Sequence, residues 1–194
     1  MILDQDFYLQ KTETVAKKLL GKVLYFQNEN QQTLTGRIVE TEAYTGVQDP
    51  ACHTFGNRQT ERTKTMFLEG GHSYVYLIYG MYNCLNFVTR NEGIPEAVLI
   101  RALEPTHHTG EKPAKKNLFT NGPGKLCRHL GITKAQNAQK LWKKKSGLWV
   151  EDDGYKVSAK QIVSAPRVGV DYAGEAAQWP LRFYLKDSFW VSRP

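Results

Sequence analysis

Cysteine is scarce in this 194-residue chain: there are three, Cys52, Cys84 and Cys127, odd in number and widely spaced. A disulfide framework is therefore not expected, and a reducing compartment is the simpler setting. The paired CxxC and HExxH spacings of zinc sites are also missing. Cys52-His53, His107-His108 and Cys127-Arg128-His129 bring ligand types together without that spacing, so neither a metal nor another cofactor is expected. No serine sits in a nucleophile elbow, and no cysteine in a setting that would stabilise a thiolate. Asn121-Gly122-Pro123-Gly124-Lys125 is not a P-loop, because Leu126 stands where Ser or Thr is needed and the first glycine is missing. It remains a candidate backbone contact to a phosphate. The N-terminus has no basic leader and no long apolar run. Neither a signal peptide nor a membrane span is expected, and no membrane partner. The expected location is the cytoplasm, nucleoid-associated if the source is bacterial. Repeats, heptads and a clean domain boundary are absent too, so residues 1–194 read as one domain.

Acidic residues are in deficit. Lysine and arginine number 26 against 19 aspartates and glutamates, a formal charge of +7. That favours an anionic partner, nucleic acid before a membrane surface, with a merely soluble basic protein as the alternative. Lys143-Lys144-Lys145 reads as a solvated patch. Residues 49–64 have no period and carry Arg58, Arg62 and Lys64 among hydroxyl and amide groups, which suits contacts to phosphate oxygens or a solvated loop. A second polar connection, residues 105–117, holds His107, His108, Lys112, Lys115 and Lys116.

What is present in excess is a conflict. In Gly36-Arg37-Ile38-Val39-Glu40-Thr41-Glu42-Ala43-Tyr44-Thr45-Gly46 the period-two pattern of a strand puts Ile38, Glu40, Glu42 and Tyr44 on one face. Acidic residues are poor strand formers, so local propensity did not select Glu-Thr-Glu. A broken local rule suits a functional site; an edge strand with one solvated face is the other reading.

Around this stretch, Thr12 is a candidate cap for a short helix reaching Leu20, with Gly21 as its stop. Lys22 to Phe26 reads as a strand. Tyr74–Tyr79 and Tyr82–Val88 read as two strands, with Gly80-Met81 as a tight hairpin turn between them. Tyr79, Met81 and Tyr82 would make an apolar tip, either folded back into the core or exposed to insert into something. Val98-Leu99-Ile100-Arg101 reads as a short strand ending in an arginine that needs a carboxylate partner. A helix from Leu126 to Leu130 is stopped by Gly131. Short strands follow at 148–150, 161–164 and 181–185.

A carboxylate with an arginine, a group of aromatics, an apolar tip and a basic surface together suit hydrolysis of a glycosidic bond on a nucleic acid. The carboxylate can deprotonate a water or stabilise positive charge growing on a sugar. Stacking on a flipped base is worth roughly 1–3 kcal/mol per ring. That offsets a flipping cost of about a few kcal/mol. A non-catalytic nucleic-acid module and a small-molecule enzyme with incidental charge remain as alternatives. Spacing alone does not choose between Glu40 and Glu42.

Several ordered blocks resemble the alkyladenine (3-methyladenine) DNA glycosylase family. They are Arg37–Tyr44, Ala51-Cys52-His53, Tyr74–Tyr82, Asn86, Val98–Pro105, Asn121–Cys127, Arg167-Val168-Gly169-Val170 and Pro180–Tyr184. The resemblance implies a single α+β domain around a curved antiparallel sheet with a protruding β-hairpin. It implies a monofunctional glycosylase of base excision repair acting on damaged double-stranded DNA as a monomer, without lyase chemistry. The implied substrates are alkylated or deaminated purines such as 3-methyladenine, 7-methylguanine, hypoxanthine and ethenoadenine. It makes Glu42 the base that activates water. Arg101 and a backbone carbonyl at Val168 help to hold that water. Tyr44, His53 and Tyr76 sandwich the flipped base, and Asn86 discriminates against guanine. Tyr79 is implied to insert into the DNA, and its neighbour Met81 shares the tip. Arg58, Arg62, Lys64 and Lys125 are left as candidate backbone contacts. The sequence departs from animal members in lacking an N-terminal extension, in the segment 112–145, and in having Cys52 beside His53.

Overall fold

The computed structural model describes residues 1–106, 114 and 118–193. His107, His108, Lys112, Lys115 and Lys116 lie outside these residues. Among the described residues eight strands form one antiparallel sheet: β1 Val23–Gln27, β2 Thr33–Tyr44, β3 Ser73–Ile78, β4 Tyr82–Thr89, β5 Glu96–Pro105, β6 Leu148–Glu151, β7 Ile162–Ala165 and β8 Arg182–Leu185. The main order is β3-β4-β5-β2-β1-β6. Among the described residues three short helices accompany it, α1 Gln5–Tyr8, α2 Thr12–Leu19 and α3 Pro123–Leu130, with several 3₁₀ turns in the loops. The expected α+β class around a curved antiparallel sheet is what is found, and the sheet curls into a half-barrel.

The glutamate-bearing stretch is the spine of this sheet. β2 pairs with β5 along one side from Gly36 to Tyr44. Its other side is shared in succession, by β1 opposite Thr33–Arg37 and by β8 opposite Glu40–Glu42. It is therefore no edge strand. The register against β5 slips at Val39, between Ile38 and Glu40, and again between Glu40 and Thr41. A bulge adds one residue and breaks strict alternation. As a result Ile38 and Val39 both join the main core, so Ile38 does not share a face with the glutamates. Beyond the bulge alternation resumes. Ala43 stays in the main core, and Thr41 donates from its hydroxyl to the Ala16 carbonyl of α2 at 3.0 Å. Glu40, Glu42 and Tyr44 turn to the other side. Gly36 is required by close approach, since a Cβ there would lie 2.9 Å from the Leu103 Cβ on β5.

Helix α2 covers the core face with Val15, Ala16 and Leu19, and α3 with Leu126, Cys127 and Leu130. Burying each large aliphatic here contributes about 1.5–3 kcal/mol. Thr12 is not a cap. Lys11 holds that position, and the Thr12 hydroxyl bonds Thr89 Oγ1 at 2.7 Å and the Glu96 carboxylate. Helix α3 begins three residues before the predicted start, with Pro123 in its first turn, where a missing N–H costs nothing. β5 is ten residues long rather than four, so Arg101 lies mid-strand. The loop over residues 46–67 has no sequence period, yet it folds into three 3₁₀ turns. Among the described residues no helix is long and apolar enough to cross a membrane.

Candidate active site

The three side chains of β2 that leave the core are the start of the site. Glu42 has 0% exposure, and every contact it makes is with a donor. Its Oε1 accepts the Val168 N–H at 2.7 Å and faces Arg101 Nη1 at 3.2 Å; its Oε2 accepts the Tyr44 hydroxyl at 2.9 Å. Burial, then the Glu42 charge, holds the Tyr44 hydroxyl well above its usual pKa, so it stays a donor. Among the described residues its partners are three donors, which fix the orientation of the carboxylate.

Glu40, also fully buried, is paired differently. Its Oε1 receives Arg101 Nε at 3.1 Å, Arg182 Nη1 at 3.0 Å and the Ser192 hydroxyl at 3.0 Å, while Oε2 receives the Ser192 N–H at 2.7 Å. Arg101 thus spans both glutamates and also donates to Ser192 Oγ at 3.2 Å. Burial pulls against its charge, but Glu42 and Glu40 outweigh this and hold its pKa above the ordinary arginine value. The sequence expectation that Arg101 needs a carboxylate partner is met twice over, both times by β2.

Above this floor opens a cavity of ≈400 Å³, within the range of about 300–1,000 Å³ usual for small-ligand sites. Tyr44, His53, Tyr76, Asn86, Arg101 and Val168 all line it. Glu42 lies behind that surface, held by three residues that form it. His53 packs edge-on against Tyr76, with centroids 4.6 Å apart. Its Nε2 faces Arg62 Nη2 at 3.3 Å and its Nδ1 the Tyr74 hydroxyl at 3.0 Å. A guanidinium can only donate, so Nε2 is the acceptor and Nδ1 carries the proton. Burial, then the Arg62 charge, pulls the His53 pKa down to about 4, so the ring is neutral at pH 7. The Asn86 amide nitrogen donates to the Tyr74 carbonyl at 3.1 Å, which ties Asn86 to the adjacent strand.

Beside the mouth stands the hairpin β3–β4. Its central residues are Tyr79 and Gly80, not Gly80 and Met81: both have positive φ, +51° and +69°, and the Met81 N–H closes the turn on the Ile78 carbonyl. The strands pair Ile78 with Tyr82, so Tyr79, Gly80 and Met81 form a three-residue connection, and positive φ at a hairpin tip normally takes Gly or Asn. A tyrosine there stores strain of about 1–3 kcal/mol. Tyr79 is 83% exposed and Met81 69%, so the tip projects rather than folding back. Helix α3 braces its base, with Gly124 against the Tyr82 ring and the Arg128 guanidinium over that ring at 5.4 Å.

The four candidate phosphate contacts differ in setting. Arg58, Arg62 and Lys64 are exposed on the loop before β3. Arg62 is engaged with His53, and Lys64 pairs with Glu61 at 2.6 Å. Lys125 donates to Asn121 Oδ1 within its own turn at 2.8 Å. Sequence reasoning missed three features. Asp49 and Arg167 form a fully buried pair at 2.5 and 2.8 Å, and Arg167 also holds the Ala43 carbonyl of β2 at 3.0 Å. Tyr172 lines the cavity mouth and donates to the Ala51 carbonyl at 3.1 Å. Ser192 locks Glu40. These contacts span more than a hundred residues of sequence, and short-range pattern carries no signal for them.

The Methylpurine-DNA glycosylase (MPG) family model matches residues 6–189. Three relatives bear the name "Putative 3-methyladenine DNA glycosylase". The one from Bdellovibrio bacteriovorus is 61% identical, with all of both chains covered. Those from Methanocella arvoryzae and Clostridium novyi are 49% and 47% identical, covering 99% and 98% of this chain and 96% and 98% of their own. The chain belongs to the methylpurine-DNA glycosylase family.

Proposed function

We propose that this protein is a monofunctional DNA glycosylase. It flips alkylated or deaminated purines out of duplex DNA and hydrolyses the N-glycosidic bond with a water activated by Glu42. Family membership supports glycosylase activity on alkylated bases. The observation that carries the finer reading is the Glu42 carboxylate, buried behind an aromatic cavity and fixed by Val168, Arg101 and Tyr44.

Tyr44, His53 and Tyr76 would receive the flipped base, and Tyr79, with Met81 beside it, would fill the space it leaves. Glu42 Oε2, with one donor against two on Oε1, is the oxygen available to a water. As that water attacks the sugar C1′, its proton passes to Glu42 and the C1′–N bond breaks. The purine leaves with the bonding electrons. Arg101 would hold the water and orient the Glu42 carboxylate toward it. A cationic base departs as a neutral molecule, whereas a neutral base needs a proton as it leaves. Among the described residues no lysine lines the cavity, which supports hydrolysis over a Schiff-base lyase step. Arg58, Arg62, Lys64 and Lys125 would meet the DNA backbone, and the protein would act as a monomer in the cytoplasm.

The test is a base-release assay on duplexes carrying hypoxanthine, ethenoadenine or methylated purines, run beside Glu42→Gln. Release by the wild type and none by the variant, with lesion binding retained, is the expected result. Lesion binding without any base release by the wild type would instead mark a non-catalytic nucleic-acid module.

A further inference from the structure

The aromatic walls of the cavity are backed by cations. The Arg62 guanidinium lies over the Tyr76 ring at 4.9 Å, and that of Arg167 over the Tyr44 ring at 4.8 Å. Neither arginine lines the cavity, whereas both tyrosines do. Arg62 instead lines a neighbouring groove that shares Tyr76, which places it outside the wall. Each ring therefore stands between the space for a base and a positive charge. Arg62 also reaches His53, so the third aromatic of the cavity feels the same charge.

We infer that Arg62 and Arg167 are specificity residues that bias this pocket against positively charged purines and in favour of neutral ones, such as deaminated or etheno-modified bases. The inference rests on the glycosylase reading above. An aromatic face attracts a cation through its quadrupole, an effect of about 0.5–2 kcal/mol per ring. A guanidinium already drawing on that ring's electrons weakens the pull on a second cation, and it repels that cation directly. Arg167 is buried, so its repulsion is screened less than at the surface, whereas exposed Arg62 acts mainly through the ring it covers.

The rest of the site supplies no surplus negative charge to offset this. Three carboxylates, Glu40, Glu42 and Asp49, face four guanidiniums, Arg62, Arg101, Arg167 and Arg182. The balance at the walls is one positive charge, and neutral His53 adds none. A cationic methylpurine gains stacking and shape here but little from charge. A neutral purine of the same shape loses nothing.

Arg62→Gln tests this, because Arg62 is exposed and its loss should not unfold the chain. Single-turnover base release is measured on two duplexes, one carrying cationic 7-methylguanine and one neutral hypoxanthine. Any loss of phosphate contact slows both alike and cancels in their ratio. The differing lability of the two bases cancels between variant and wild type. The cationic-to-neutral ratio of kcat/KM should rise about three- to tenfold in Arg62→Gln, the size of one wall contact. It should stay near the wild-type value in Arg62→Lys, which keeps the charge. An unchanged or lowered ratio in Arg62→Gln, or the same rise in Arg62→Lys, overturns the inference. Absence of base release from both duplexes by the wild type would overturn the glycosylase reading itself, a result distinct from an unmoved ratio.

Discussion

At the floor of the cavity, charge is buried and paired. Glu40, Glu42 and Asp49 have no exposed surface, and each meets an arginine within 3.2 Å. At the tip of the hairpin the reverse holds. Tyr79 stands in solvent on a backbone at φ +51°, a conformation its side chain disfavours. The floor keeps its geometry by pairing its buried charges, so that removing one partner strands another. The tip keeps its geometry against a local penalty, so that removing the side chain relieves it. The proposed function draws on both places, but a mutation there is expected to move stability in opposite directions.

The largest effect belongs to Glu42. Glutamine keeps the shape and can still accept from Val168, but it cannot take a proton from water. Base release should fall at least about 10²–10⁴-fold, the usual worth of a general base. Circular dichroism should report an intact fold, and lesion binding should persist. Near-wild-type release would remove Glu42 from the chemistry.

Glu40→Gln sharpens the contrast within the floor. Glu40 accepts four hydrogen bonds and has no evident place for a water, so its role is to hold Arg101 and Arg182. Breaking a buried ion pair from one side typically costs about 3–5 kcal/mol. A fall in Tm should therefore be the main result, read by thermal denaturation. Well below that Tm, base release should suffer less than in Glu42→Gln. Equal losses of rate in the two variants, with no change in Tm, would reverse their roles.

Much of this floor could be read in advance, and the reason is local. A Glu-Thr-Glu-Ala-Tyr run sits badly in a strand unless something receives it, and period two correctly joined Glu40, Glu42 and Tyr44. The same rule misplaced Ile38, because the bulge at Val39 depends on the register of β5, about sixty residues away in sequence. Arg101 was legible as a charge in need of a carboxylate. Its position in mid-strand was not, since Ala102, Leu103 and Glu104 extend β5 only by pairing with β2. The Asp49–Arg167 pair left no trace, because an aspartate in an aperiodic loop looks solvated until the chain returns 118 residues later. The choice of Glu42 over Glu40 came from family resemblance; the two carboxylates differ in their partners, and we propose that this reflects different roles. At the tip, tyrosine at the turn was masked by its own strand propensity, which placed the turn one residue late.

Tyr79→Gly tests the other half of the comparison. Glycine accepts positive φ freely and Tyr79 buries little, so the variant should gain up to about 1 kcal/mol, less the entropy that glycine loses on folding. Denaturant unfolding should show a higher midpoint with an unchanged slope. Flipping of a fluorescent base analogue should weaken at the same time. A loss of stability would mean that the tip is held by packing and stores no strain.

A pH-dependent effect lies between floor and tip, at His53. Its folded pKa is about 4, below the ordinary histidine value near 6.5, because burial and then Arg62 disfavour the charged ring. Between these values the unfolded chain binds a proton that the native protein does not. Stability therefore rises with pH through that window, and acidification from pH 6.5 toward 4 destabilises the fold. His53→Phe removes the titrating group and should flatten this part of the stability–pH curve without altering carboxylate titration at lower pH. Equilibrium denaturation of both proteins at pH 4.5, 5.5 and 7 checks it. Parallel curves would show that His53 is protonated as easily in the native cavity as in water. The base wall would then carry a charge at mildly acidic pH, which would set it beside the paired floor rather than among the neutral aromatics.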